Sequence, residues 1–274
     1  MKKQKINGLV RFSLMNLLGN HDVFAPEYFE YRLNLFIKIT LRSLQEQTDK
    51  GFNVFLYHSD QMPGKYRKIF DKLEKENNFL HNIYQKGVDI VAPPQDALDF
   101  SDGACVTFRV DNDDGLPRDF IARIRKYANK EFAGMAISIP EIIKVRRVAK
   151  CAFRAERKNY IANSIGLAYV SGPDQFKTIW DMGSHVRVRN KNEMILVPGL
   201  GGLMTISGNN IGNTIYKNKS ERLDFCAASK LMVDNNHADY DFDCLSVLPD
   251  WKYSVVRLMR HIRRIIFPNK TFTH

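Results

Sequence analysis

The stretch Val106–Leu116, V-T-F-R-V-D-N-D-D-G-L, places three carboxylates directly after a run of residues typical of a buried strand. Its first six residues predict a strand covered on both faces of a sheet. Asp111, Asp113 and Asp114 come at the end of that strand, and Gly115 allows the chain to turn. Carboxylates this close repel one another, so the pattern predicts a positive group among them.

Two interpretations of the acidic cluster compete. It can be a helix N-terminus, because aspartates before a helix predicted over Pro117–Ala128 complement the helix dipole. Capping needs only one Asp, however, and we favour a site in which Asp111, Asp113 and Asp114 hold Mn²⁺ or Mg²⁺. A calcium EF-hand is excluded, because the twelfth position counted from Asp111 is Ala122 rather than Glu. A D-x-D after a buried strand is typical of nucleotide-sugar glycosyltransferases.

The charge of the chain indicates an anionic partner. Its net charge is +11 over 274 residues, which suits a nucleotide diphosphate, a nucleic acid or an anionic membrane. No run of about 18 apolar residues occurs, and no apolar segment typical of a secretory signal follows the basic N-terminus. The cysteines lie in apolar contexts without C-x-x-C spacing, so we expect buried, reduced thiols and a cytoplasmic protein. They are Cys105, Cys151, Cys226 and Cys244.

The first half alternates strands and helices, as in a Rossmann-like nucleotide-binding fold. Before the acidic strand, the sequence predicts strands over Gly8–Met15, Phe52–Tyr57 and Asn82–Tyr84, helices over Tyr28–Gln47 and Pro63–Asn77, and a loop over Ala92–Gly103. Ligands of such sheets bind beyond the carboxyl ends of the strands, so Ser59 and Asp60 are candidate nucleotide contacts. A polar loop with Asp60 as a helix cap is an equally good explanation.

Several segments, taken in order, resemble the putative rhamnosyltransferase family, a bacterial group related to inverting glycosyltransferases. They cover about the first 215 residues and include Arg11-Phe12-Ser13, Arg32 with Leu35-Phe36, the L-R-S-L-Q-E-Q-T-D of Leu41–Asp49, Met62-Pro63 with Tyr66, Arg109–Asp114 and Gly208–Asn213. One departure is Ser207, where the family pattern often has a His before the late glycine. If that His assists the metal or acceptor, His185 is a candidate replacement.

The resemblance implies an α/β fold of GT-A type, with a mostly parallel sheet in the nucleotide-binding half, an acceptor-side half and a C-terminal amphipathic helix. It also implies that Asp111 and Asp113 hold the metal and the sugar nucleotide, with Arg109 near the phosphates. We add Arg11, in the first matching segment, as a donor contact. The metal would neutralise charge on the departing diphosphate, and inversion requires a carboxylate that deprotonates the acceptor hydroxyl.

The second half is predicted to form the acceptor side, with strands over Gly134–Ile139 and Ser164–Val170 and a basic segment formed by Lys144–Lys150 and Arg154–Lys158. Asp181 is our candidate for the catalytic base and Glu193 is its rival. His185, ahead of a strand predicted over Val186–Arg189, is a candidate metal or phosphate ligand. A loop residue making backbone hydrogen bonds explains the histidine equally well. Glycine and asparagine in Pro198–Gly202 and Gly208–Asn213 favour mobile loops over a sugar site.

The C-terminal segment 251–267 has the pattern of a basic amphipathic helix that lies on an anionic membrane. A terminal helix docked on the protein is the alternative. We therefore divide the chain into a glycosyltransferase domain, 1–250, with halves 1–130 and 131–250, and a tail, 251–274. The predicted function is metal-dependent transfer of a sugar to a cell-surface polysaccharide or lipid-linked glycan at the inner face of the cytoplasmic membrane. An inactive membrane adaptor is the first alternative, and a nucleic-acid-binding protein the second, although no recognition motif for nucleic acid appears.

Overall fold

A computed structural model describes residues 4–14, 22–206 and 221–247 of the chain. Its strands are β1 (Ile6–Ser13), β2 (Phe52–Ser59), β3 (Leu80–Gln85), β4 (Cys105–Arg109), β5 (Ala136–Ser138), β6 (Glu141–Ala149), β7 (Ala152–Asn159), β8 (Leu167–Ser171), β9 (Met194–Leu196), β10 (Leu200–Thr205) and β11 (Glu221–Asp224). Its α-helices are α1 (Pro26–Leu35), α2 (Arg42–Gln45), α3 (Gly64–Glu76), α4 (Phe120–Arg125), α5 (His185–Lys191) and α6 (Phe225–Asp234). A π-helical segment, Phe36–Leu41, joins α1 to α2.

Seven strands form the main sheet, in the order β3-β2-β1-β4-β8-β5-β9. All neighbouring pairs are parallel except those of β8, which runs antiparallel to both β4 and β5. The predicted α/β class and mostly parallel sheet are confirmed. Strands from beyond residue 130 enter this sheet, so the two predicted halves share it.

A second sheet, in the order β10-β6-β7-β11, stands beside the first. Its centre is the antiparallel pair β6–β7, which the sequence analysis recognised only as a basic stretch. Leu35 and Ile39, from α1 and the π-helical segment, pack in one buried cluster with Ile143 and Phe153 of this sheet. The same helical stretch packs Phe29 and Phe36 against Val10 of the main sheet. It therefore links the two sheets.

Most of the predicted elements of the first half are confirmed, because their apolar periodicity matches their burial. Two predictions in the second half are wrong. Val186–Arg189 lies in α5 rather than in a strand, because the side chain of Ser184 caps a helix by accepting a hydrogen bond from the Arg187 amide. The predicted loop over Pro198–Gly202 runs into strand β10, where Gly201 lies against Ile139 too closely for a side chain.

The cysteine prediction is confirmed for Cys105 and Cys244, which are buried free thiols, and wrong for Cys151 and Cys226, which are exposed. The predicted segments Gly208–Asn213 and 251–267 lie outside the described residues. Within the described part of the chain, no helix is both long enough and apolar enough to cross a bilayer.

The contact between β1 and β4 provides a test of the packing. A Cβ atom added at Gly8 would lie 2.5 Å from the Phe108 ring. We expect Gly8→Ala to lower the free energy of unfolding by about 1–3 kcal/mol, because the core has no room for the methyl group. Gly64→Ala is the control, since nothing lies within 4 Å of its added Cβ in the first turn of α3. Urea unfolding measures both, and an equal effect in the two variants would contradict this packing.

His58, at the end of β2, makes the stability of the folded protein depend on pH. Burial lowers the pKa of His58 from 6.5 to about 3, so the folded protein keeps it neutral where the unfolded chain binds a proton. Stability therefore falls as pH falls from about 6.5 towards 3, by at most about 1.4 kcal/mol per pH unit for this one group. Urea unfolding across this window should show a shallower fall for His58→Gln than for wild type. His81→Gln, at a partly exposed histidine, should leave the slope unchanged.

Candidate active site

The acidic stretch after β4 is a tight turn held between the two sheets. The Asp114 amide donates to the Asp111 carbonyl at 3.2 Å, which closes the turn. Gly115 then pairs with Leu203 of β10 through two backbone hydrogen bonds of 2.9 Å. A Cβ atom at Gly115 would lie 2.4 Å from the Tyr240 hydroxyl, so the close approach requires glycine.

Two neighbouring strands fix the orientation of this turn. From β10, Thr205 donates its hydroxyl to the Asp113 carbonyl at 2.7 Å and its amide to a carboxylate oxygen of Asp114 at 3.2 Å. From β1, the Phe12 carbonyl accepts a hydrogen bond of 3.3 Å from the Asn112 side chain. The three residues 112–114 are buried, whereas Asp111 is partly exposed. The turn is therefore a preorganised acidic group.

Three arginines surround the carboxylates. Arg32 of α1 lies 2.7 Å from Asp113 Oδ2 in a largely buried ion pair. Arg11 and Arg109 come from the adjacent strands β1 and β4, and both lie over the ring of Trp180, 3.7 Å and 4.9 Å from its centre. Arg109 also donates to the Gly183 carbonyl at 2.8 Å. The positive groups predicted from the acidic sequence are thus present as arginines.

The protonation equilibria reflect this crowding. Burial, and next the neighbouring Asp113 charge, raise the pKa of Asp111, while Arg109, Arg11 and Arg32 oppose the shift. The pKa of Asp114 is raised well above its ordinary value by burial, by Asp113 and by Asp111. Burial lowers the pKa of Arg109 to about 10. More positive charge beside the turn would favour the ionised carboxylates.

The turn opens into a cavity of about 860 Å³, which lies within the usual range for ligand pockets. β1, α1 and the acidic turn contribute residues to its lining, as do β6, the segment after β7, and α5. The residues that line it are Arg11, Phe12, Leu14, Val23, Tyr28, Arg32, Asp111–Asp114, Lys144, Asn159–Ser164, His185, Val186, Arg189, Asn190 and Met204.

Of the predicted donor and metal residues, Arg11, Asp111, Asp113, Asp114 and His185 all line this cavity. His185 begins α5, and burial followed by the Arg109 charge lowers its pKa. The structure thus gathers the predicted metal ligands around one space. Within the described ranges, however, no group of three or more acidic, His or Cys side chains is arranged as a ready-made metal site.

Other predicted residues lie away from the lining. Ser59 and Asp60 are at the end of β2, where the Ser59 hydroxyl accepts from the Gln61 amide and the Asp60 carbonyl accepts from Arg67. Asp181 accepts hydrogen bonds from the amide and hydroxyl of Thr178, at 2.7 and 2.8 Å.

Glu193 is exposed, and its backbone carbonyl accepts from the Ala136 amide. Arg109 is not among the residues that line the cavity. The functional roles predicted for Arg109, Ser59, Asp60, Asp181 and Glu193 stay predictions.

Sequence reasoning missed several residues of the cavity. Arg32 belonged to a family-like segment, but its spacing from Asp113, 81 residues along the chain, gave no sign of the ion pair. Lys144 and Tyr160 come from the strand pair β6–β7 and its exit, which the sequence showed only as a basic stretch. Apolar periodicity in β6, with Ile143 and Val145 flanking Lys144, was the available signal.

The profile of a family described as "Putative rhamnosyl transferase" matches residues 5–218, more than three quarters of the chain. The chain belongs to this family. It is a glycosyltransferase, and its α/β fold contains a large, mostly parallel sheet; the GT-A type of that fold stays a prediction.

Solved structures resemble this glycosyltransferase only distantly, and no protein of curated function matches its sequence. Staphylococcus aureus TarS 1–349 is 11% identical with a TM-score of 0.42, over 97% of this chain and 75% of that one. The mannosyltransferase PcManGT from Pyrobaculum calidifontis, in complex with GDP-Man and Mn²⁺, is 13% identical with a TM-score of 0.39, over 78% of this chain and 58% of that one.

The ion pair between Arg32 and Asp113 is testable in the glycosyltransferase without any ligand. We expect Arg32→Met to lower the free energy of unfolding by about 2–4 kcal/mol, because it removes the nearest cation from a buried carboxylate. Arg42→Met, in the next helix, breaks an exposed pair with Glu46 and should cost less than about 1 kcal/mol. Chemical denaturation of both variants measures the two free energies of unfolding. Equal losses of stability would rule out a special role for the buried pair.

Proposed function

We propose that this glycosyltransferase moves a sugar from a nucleotide-sugar donor to a cell-surface polysaccharide or lipid-linked glycan, with inversion and with Mn²⁺ or Mg²⁺. The observation that carries the proposal is the acidic turn facing a large cavity beside Arg11 and Arg32. A diphosphate needs both features. Arginine binds its oxygens, and a divalent ion held by carboxylates neutralises its remaining charge.

Arg11 is the best-placed diphosphate contact. It lines the cavity, and burial lowers the pKa of its guanidinium. Its only described cation–π partner is the Trp180 ring, and within the described residues it forms no ion pair. Its hydrogen-bonding groups are therefore available to phosphate oxygens, whereas Arg32 is engaged by Asp113.

The donor set of the turn fits a hard divalent ion. Asp111 and Asp113 offer only oxygen atoms, and Mg²⁺ or Mn²⁺ is commonly held by one or two carboxylates together with substrate phosphates. The raised pKa of Asp111 also fits, because burial and like charge disfavour its ionised form. When bound, the ion would supply Lewis-acid stabilisation of the leaving diphosphate. Asp114 and His185 are further candidate ligands at the cavity wall.

The remaining roles are tested by substitution. Ser59, Asp60 and Arg109 are proposed donor contacts, and their replacement should then weaken nucleotide binding. A general base at Asp181 or Glu193 requires that Asp181→Asn or Glu193→Gln lower kcat by about 10²–10⁴-fold with little change in KM. A purely structural Asp181 would instead lower stability, through its lost hydrogen bonds to Thr178, and leave kcat nearly unchanged.

The membrane role proposed for 251–267 concerns residues outside the described structure. The segment contributes five basic residues to the net charge of +11, and a membrane role suits a lipid-linked acceptor at the inner face of the cytoplasmic membrane. Sedimentation with vesicles containing anionic lipid tests it. A chain truncated before residue 251 that sediments as well as the full chain would refute it.

Nucleotide binding is the deciding measurement. We expect calorimetry with UDP, GDP and dTDP to show that one nucleotide binds the full chain, and that Mn²⁺ strengthens its binding. Asp111→Asn and Asp113→Asn should lower the metal-dependent affinity at least about tenfold, because each removes a charge next to the ion.

Asp102→Asn, in the exposed loop before β4, is the matched control and should bind like wild type. If no nucleotide binds in the presence of Mn²⁺ or Mg²⁺, the transferase proposal fails and the inactive adaptor becomes the better explanation. If the nucleotide binds equally well with and without metal, the proposed metal site is refuted, whereas the proposed donor site is still supported.

A further inference from the structure

Lys144, in the lining of the cavity, is a buried cation. It lies in β6 and is 2% exposed, yet it is one of the residues that line the cavity. Its ammonium donates a hydrogen bond to the Tyr160 hydroxyl at 2.9 Å and lies 5.0 Å from the centre of that ring. An ammonium has three donors, so this contact satisfies only part of its capacity.

No carboxylate of the described chain neutralises Lys144. Its cross-strand neighbour in β7 is Glu156, but that carboxylate forms its ion pair with Lys158. Its neighbour on the other side is Met204 of β10, which carries no charge. A lysine buried without a counter-ion lowers stability, and a bound anionic ligand would offset that cost.

Further polar side chains line the same cavity as Lys144. Arg189 and Asn190 reach it from α5, and Asn159 and Ser164 reach it from the segment that follows β7. Among the described residues Arg189 forms no ion pair. These groups come from elements other than β1, α1 and the turn after β4, which supply Arg11, Arg32 and the acidic cluster. The cavity is thus lined by two sets of cations that come from different elements.

We propose that Lys144 and Arg189 bind an anionic group of the acceptor, a phosphate or a carboxylate, while Arg11 and the acidic turn hold the donor. The inference rests on the proposed function, because it assigns the donor to Arg11 and the acidic turn. Lys144 supplies a compact charge oriented by Tyr160, and Arg189 supplies a planar group suited to two oxygens. Neutral glycans that lack such a group would bind these two residues poorly.

The test uses four probes with the full chain. Glycerol 3-phosphate and methyl glucuronide carry the two candidate anions, and glycerol and methyl glucoside are their neutral counterparts. In thermal unfolding, at least one anion should raise the Tm of wild type, because ligands that bind only the folded state stabilise it, and the neutral probes should not. Which anion gives the shift distinguishes a phosphate-bearing from a carboxylate-bearing acceptor.

The variant Lys144→Met tests whether anion binding depends on this lysine. Calorimetry should show at least a tenfold loss of anion affinity, with affinity for the metal-bound nucleotide within twofold of wild type. Without ligand, this variant should have a higher Tm than wild type, because Met removes a buried charge at similar volume. Lys150→Met, at an exposed lysine in the turn between β6 and β7, is the matched control and should keep the anion affinity. Tyr160→Phe, which retains the lysine but removes its hydrogen-bond partner, should lower the affinity by a smaller factor.

Three results obtained with Lys144→Met and with the neutral probes would contradict the inference. They are anion binding by Lys144→Met within twofold of wild type, neutral probes that bind as well as the anions, and equal loss of nucleotide and anion binding in Lys144→Met. The last would place Lys144 in the donor site. If the protein binds an anion but no nucleotide, the proposed function is refuted and the anion site is supported. If it binds a nucleotide but no anion, only the anion site is refuted.

Discussion

The mutual repulsion of three carboxylates in one tight turn is the constraint on which this structure depends. Asp111, Asp113 and Asp114 lie within four positions at the end of β4, and two of them are buried. Such a group survives folding only if cations and hydrogen-bond donors surround it. Arg32 and Thr205 provide the closest of these contacts, and they come from a helix and a strand far apart in the sequence.

The fold can be understood as the means of bringing those partners together. β1 and β4 are adjacent in the main sheet, so their ends carry Arg11 and the acidic turn to the same place. The helical stretch from α1 through the π-helical segment packs on both sheets, which positions Arg32 over Asp113. β10 then closes the arrangement from the second sheet, by pairing Leu203 with Gly115. The cavity is therefore lined by residues of both sheets and of this helical stretch.

Local sequence patterns predicted most of the first half, because parallel strands covered on both faces are continuous apolar runs and their helices have regular apolar spacing. The same reasoning failed after residue 180. Val186–Arg189 alternates like a strand, but the cap at Ser184 and tertiary packing of Val188 make it helical. The sequence analysis interpreted Gly201 and Gly202 as a loop. They lie in β10, which packs so closely against Ile139 and Ile165 that there is no room for a side chain at either position. In both places a contact with distant residues outweighed the local pattern.

The sequence by itself determined the α/β class, the family and the acidic turn with its need for positive charge, because composition, periodicity and a short motif are local properties. Only the tertiary structure decided which cations meet those carboxylates and which predicted residues line the cavity. Arg32 reaches Asp113 across 81 positions, and Asp60 and Asp181 are directed into contacts outside the cavity lining. The sequence presents Lys144 as one member of a basic stretch, and only the pairing of β6, β7 and β10 shows that its neighbours are Met204 and a Glu156 that is paired with Lys158. Burial and ion pairing join residues that are distant in sequence, so no local pattern encodes them.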